Sequence, residues 1–236
     1  CRRTSCLFPE ICRNLDSSDR RAVALLRALR ANPAIKHLFI ASGIRYDLLP
    51  DQQEYFKDLL QHHVGGLIKV APEATSAEVT RIMRKPGPER FVAFLDEFRS
   101  KSRALGLRLG VVPYLISAHP GSTLDDMIDA ALFLKRHRLK VEQVQEFTPT
   151  PGSLATCIYH TGRDPYSGEQ IHVPRSVGEK KLQKALLLWH LPASRAAVSE
   201  ALRITGRQKD RAELLGGVSR TSPAGGLRRN PVRTRR

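Results

Sequence analysis

Acidic side chains are scarce in this chain. Its 236 residues hold 23 Asp and Glu against 39 Lys and Arg, a formal net charge of +16. Such a surface attracts anionic partners and repels cationic ones. Long apolar runs are absent too. No stretch is long and apolar enough to cross a bilayer, and no signal-peptide pattern opens the sequence, so no membrane partner is expected. Cysteine is sparse: of the four, Cys1, Cys6 and Cys12 crowd at one end and Cys157 stands alone. A secreted disulfide scaffold would carry more of them and spread them out. We expect reduced thiols and a cytoplasmic location. Aromatic residues make up 6%, and none falls in 204–236, so that segment offers no base stacking. There is no initiator Met before Cys1, and we expect the chain to be a piece of a longer or processed protein.

What is present is a repeated plan. Val111-Val112-Pro113-Tyr114-Leu115-Ile116-Ser117-Ala118-His119-Pro120-Gly121 is an aliphatic run that breaks into small and polar residues. That is how a buried strand reads when it ends at a working surface. A helical pattern follows to about residue 137. Residues 37–45, 66–73 and 141–152 repeat the plan. The predicted strands are 37–41, 67–71, 111–117 and 141–147. The predicted helices are 20–31, 51–62, 76–83 with Thr75-Ser76 and Glu78 as a capping box, 89–105, 123–137, 179–191 and 194–204. Residues 154–173 read as extended and loop segments, and little order is expected beyond Gly206. Strands alternating with helices imply an α/β fold with a parallel sheet. The organisation expected is a Cys-rich loop at 1–15, the α/β body at 16–152, a mostly helical extension at 153–204 and a basic disordered tail at 205–236. That tail has nine Lys and Arg from 204 onward against Asp210 and Glu213.

In parallel α/β folds the chemistry gathers at the C-terminal strand ends. Here those ends hold Ser42, Gly43, Arg45, Glu73, Ser117, His119 and Gly121. Arg45 can fork onto a carboxylate or phosphate, or pair with Asp47 or Glu73. Gly43 allows close backbone approach. Glu73 suits a ribose hydroxyl, an amine or a metal, or an ion pair. His119 is a candidate base or ligand, or a hydrogen-bonded loop histidine. The Pro-Gly turns expose backbone groups able to read an adenine edge. Cys1, Cys6 and Cys12 are three soft ligands suited to zinc or an iron–sulfur cluster, though in neither a CxxC nor a CxxxCxxC spacing.

Several segments act as a set. They are Ile40-Ala41-Ser42-Gly43-Ile44-Arg45-Tyr46-Asp47, Lys69-Val70-Ala71-Pro72-Glu73, Tyr114-Leu115-Ile116-Ser117-Ala118-His119-Pro120-Gly121 and Gln143-Val144-Gln145-Glu146-Phe147-Thr148-Pro149-Thr150-Pro151. With the loop at 1–15 and the segments 159–165 and 179–187, they resemble, in order over about residues 1–202, the later part of YgiQ-type radical SAM proteins. The resemblance implies the second half of a partial TIM-type (β/α) barrel followed by a family-specific extension. In the intact protein it implies a [4Fe–4S] cluster on a CxxxCxxC loop, S-adenosylmethionine as cofactor, an electron-donor protein and an unidentified radical substrate. The cluster loop does not occur in these residues, so the chain alone is not expected to assemble the cluster or to be active. Ser42 and Arg45 would approach the methionyl carboxylate or ribose, Glu73 the ribose or substrate, and the backbone at 117–121 the adenine. A second metal or cluster at the Cys loop is possible on the family's pattern. Two rivals stand beside this reading: a basic module binding RNA through its tail, and a metal-dependent hydrolase built on His119 and Glu73.

Overall fold

The computed structural model describes residues 5–216. Three parallel strands form the sheet, β1 (Leu67–Glu73), β2 (Gly110–Ser117) and β3 (Val144–Glu146), in the order β1-β2-β3. Helix α1 (Arg20–Ala31) and helix α2 (Gln53–Asp58), which runs into a π turn at Leu59–His63, precede β1. Helices α3 (Ala77–Ile82) and α4 (Pro88–Ala104) connect β1 to β2, and α5 (Leu124–Arg136) connects β2 to β3. The parallel α/β class expected from sequence is what the chain adopts, and an open sheet of this kind is consistent with part of a β/α barrel.

The run at 37–41 does not become a strand. Ile40 N–H donates to the carbonyl of His63 at 3.0 Å, and the only ladder contact comes later, a parallel bridge of Ile44 with Val70. Phe39 stays 56% exposed. The segment lies along the β1 side of the sheet, and an edge run with so little to bury gains little from full pairing.

Alternation decides the faces of the sheet. Ile68, Val70, Leu115 and Val144 point into the helices and join one buried cluster with Phe56, Phe91, Phe94, Phe98 and Ile128. The opposite face carries exposed Leu67, Lys69, Gln143 and Gln145 with half-buried Tyr114. The sheet is thus packed by the helical core on one side, while the other side is largely exposed apart from buried Val112 and half-buried Ile116 among the described residues.

Helix ends follow local chemistry. Thr123 caps α5 in a full capping box with Asp126. Ser76 caps α3 through Val79 N–H, but no box forms: the third helical residue is Val79, and Glu78 forks onto Arg81 instead. After β3 come α6 (Leu154–Thr161), α7 (Val177–Leu187) and α8 (Arg195–Ile204). Helix α6 lies where extended and loop segments are expected. Ser153 caps it and Gly162 closes it at φ 69°, the two signals that define it locally. A short α9 (Arg211–Leu215) occupies part of the segment where little order is expected, and Leu214 and Leu215 are buried. Residues 217–236 of the expected tail, and Cys1, lie outside the described residues. The same buried cluster includes Leu186, Leu187, Trp189, Val198 and Leu202, so one core crosses the expected boundary at 152. Among the described residues no helix is long and apolar enough to cross a membrane.

Candidate functional site

The strand ends stand side by side. Ile44 bridges Val70, Glu73 is opposite Leu115, and Ser117 is opposite Glu146. Parallel pairing therefore sets 44–45, 73, 117 and 146–147 along one edge of the sheet. The register slips between Val70 and Glu73, and Glu73 ends the strand at φ 65°, a left-handed geometry unusual for a residue with a Cβ.

Helix α3 returns a cation to that edge. It ends in a Schellman turn: Arg84 N–H donates to Arg81 O at 3.0 Å and Lys85 N–H to Thr80 O at 2.9 Å. Arg84 occupies the left-handed position at φ 57°. The turn directs its guanidinium to Asp164, 2.6 Å away, and places the Lys85 ammonium 3.0 Å from Glu73 Oε1 and 3.2 Å from Ala71 O.

Glu73 lines two small cavities. One, of about 190 Å³, is bounded by Lys85, Ile116, His119, Ile82, Met83 and the start of α6 at Leu154 and Ala155. The other, of about 230 Å³, is bounded by Tyr114, Leu115, Gln143 and Gln145. Ligand pockets usually begin near 300 Å³. These cavities are walls of a site rather than an enclosed one.

His119 is 5% exposed. Its Nδ1 lies 2.7 Å from the carbonyl of Pro120, which can only accept, so Nδ1 carries the proton and Nε2 a free lone pair. Burial lowers its pKa to about 4, the Pro120 bond opposing and Lys85 adding to the effect. The imidazole is neutral at pH 7. Phe147 meets its ring edge-on at 5.1 Å.

The other predicted residues are placed differently. Arg45 donates from Nε and Nη2 to the two carboxylate oxygens of Asp47, at 2.8 and 2.5 Å, and this pairing raises its pKa. That is the ion-pair alternative, made through Nε and Nη2 of a half-exposed side chain. Ser42 and Gly43 are exposed. A Cβ on Gly43 would sit 3.7 Å from the Tyr114 ring, an ordinary contact, so its small size is not required by packing. The Ser117 side chain is fully buried and faces Gln145 O at 3.5 Å. Gly121 does need to be glycine: φ is 92° and a Cβ would fall 2.3 Å from Ile82 Cδ1. Its N–H goes to His172 O at 2.7 Å, and Ala118 N–H to Gln183 Oε1 at 2.8 Å. Both of these loop N–H groups are thus paired within the chain. Cys6 and Cys12 are joined by a backbone bond of 2.7 Å, both thiols are free, and among the described residues no group of three metal-ligating side chains is assembled.

Sequence reading missed Lys85, Gln183 and the Arg84–Asp164 pair. For Lys85 a signal existed: a capped helix of under two turns after a strand end must return the chain near that end. Gln183 gave none, because one polar residue on an amphipathic helix looks solvated.

Comparisons with known proteins complete the picture. A family model for a domain of unknown function (DUF3362) matches residues 142–220, from β3 through the extension. A UPF0313 protein of Geobacter sulfurreducens is 57% identical over 219 residues, 93% of this chain and 36% of the relative. A UPF0313 protein of Methanosarcina mazei is 42% identical, covering 88% of this chain and 33% of the relative. The UPF0313 protein YgiQ of Escherichia coli K12 is 39% identical, covering 88% and 29%. The chain thus spans about a third of the length of the curated relatives it matches.

Proposed function

The chain belongs to the UPF0313 family, in which YgiQ is its relative, and from that premise we propose that it forms the later wall of a radical S-adenosylmethionine site. The observation that carries the reading is the convergence of Glu73, Lys85 and His119 on one cavity at the C-terminal edge of a parallel sheet. The largely exposed sheet face, with Tyr114, Gln143 and Gln145 beside Glu73, supports it as well. A half-barrel would turn such a face inward.

The donors of this chain do not fit the [4Fe–4S] cluster. Among the described residues no three potential ligands stand together, and no CxxxCxxC occurs in the sequence. S-adenosylmethionine fits the wall better, and its reductive cleavage to a 5′-deoxyadenosyl radical is the chemistry it would supply. Glu73 accepts hydrogen bonds from ribose hydroxyls. The neutral His119 accepts at Nε2 from an amino group. Lys85, which pairs with Glu73 Oε1 at 3.0 Å, is the cation lining the cavity and stands there for the methionyl carboxylate. Ile82, Met83, Ile116 and Leu154 exclude water from the ligand's flat faces.

The test is direct titration of the chain with S-adenosylmethionine, followed by hydrogen exchange. Binding is expected to protect amides at 71–73 and 114–122. Glu73→Gln should weaken it roughly 10-fold, the loss of one charged hydrogen bond. Millimolar ligand that protects neither segment would overturn the assignment.

A further inference from the structure

We infer that Gln183, on the extension helix α7, is the positioning residue of this wall: it fixes the backbone at 118–122 and so the place of the His119 imidazole. The functional weight of the inference rests on the reading above. The positioning itself is measurable without any ligand.

Gln183 is fully buried. Its Oε1 accepts from Ala118 N–H at 2.8 Å and lies 2.9 Å from Ser122 Oγ. Its Nε2 donates to Ser122 O at 3.1 Å and reaches Glu179 Oε1 at 3.4 Å. The amide cannot be reversed, because Ala118 N–H only donates and must meet oxygen. Ser122 Oγ also donates to His119 O at 2.7 Å, so one hydroxyl hydrogen is shared between the loop and the glutamine.

The loop needs an external clamp. Ala118 sits at φ 59° and Gly121 at φ 92°, so two of its residues hold left-handed backbone. The two ties come from one face of α7. Gln183 holds the start of the loop. Glu179, one turn earlier, holds His172 Nε2 at 2.8 Å, and His172 O receives Gly121 N–H. The extension therefore builds part of the strand-end wall instead of only flanking it.

The experiment follows the His119 titration by NMR in the full chain, with thermal unfolding measured in parallel. Lys85 and Glu73, the charged groups lining the same cavity, are unchanged in every variant, so a shift reports solvent reaching the ring. Wild type is expected to titrate near about 4. Gln183→Met keeps the length and removes the amide. It should raise the His119 pKa by about one unit or more toward the ordinary 6.5. Ser122→Ala should shift it in the same direction by less, and serves if Gln183→Met does not fold. Val198→Ala, a core truncation in α8, should lower the melting temperature and leave His119 where it is. A His119 titration unmoved in Gln183→Met or its substitute Ser122→Ala, with melting lowered as in Val198→Ala, would make Gln183 a packing residue and overturn the inference. A shift in a chain that binds no S-adenosylmethionine upholds the positioning and removes only the ligand.

Discussion

Two glycines carry the contrast at the scale of the residue. Gly43 and Gly121 both follow strand-end signatures and look alike in sequence. Gly121→Ala is expected to cost roughly 1–3 kcal/mol, because a left-handed backbone is strained with a Cβ and Ile82 must move. Gly43→Ala should stay within about 0.5 kcal/mol, since its Cβ finds ordinary contact distances. Urea unfolding of the two variants checks this, and equal losses would contradict it. Residue types were legible here and their partners were not. Arg45 was readable as a fork, but whether it forks onto Asp47 or a ligand depends on a rotamer that sequence does not encode. His119 was readable as a strand-end histidine, but its neutrality comes from burial by segments remote in sequence.

Elements were read best where a local signal defines both ends. Helix α1 spans Arg20–Ala31 as its periodicity predicts, and α5 lies within the predicted 123–137, with Thr123 as its cap. Helix α6 was hidden by the Gly, Pro and Tyr around it, although its cap and stop are ordinary. The tie between α3 and the turn after α6 was invisible, because it joins residues 80 positions apart. Asp164 is 1% exposed and accepts from Tyr166 N–H, Ser167 N–H and Arg84. Burial raises its pKa, but these bonds outweigh burial and the net shift is downward. A carboxylate held below its unfolded value stabilises the fold above about pH 4, and that contribution fades as pH falls through the folded pKa. Asp164→Asn should therefore cost roughly 1–3 kcal/mol at pH 7. Its deficit against wild type should shrink as the pH is lowered below about 4. A deficit independent of pH from 7 to 2 would show that charge is not the cause.

Across the whole molecule the consequence of the shared core is cooperativity. Leu214 is 2% exposed in the same cluster as Phe94 and Ile128. Arg136 pairs with Glu213, Lys135 reaches the carbonyls of Glu213 and Leu214, and Arg195 reaches Leu215 O at 3.1 Å. Leu214→Ala should destabilise the entire chain by roughly 2–4 kcal/mol, as a buried leucine truncation does. Trp189, the single tryptophan, lies in the extension and reports on it by fluorescence, while far-UV dichroism reports on all the helices. The two signals should move together to a lower denaturant midpoint. Separate transitions would mean that sheet and extension fold independently.

What the sequence determined by itself was the alternation of strands and helices, the end of the sheet where the polar strand-end residues gather, and the candidates Glu73 and His119. Each is written in short-range pattern: period, cap and strand-end signature. Tertiary structure alone decided which candidates meet, that Lys85 joins them while Arg45 does not, and that an extension helix clamps the His119 loop. Those outcomes depend on which distant side chains come within hydrogen-bond reach when one shared core closes, and no local pattern specifies that distance.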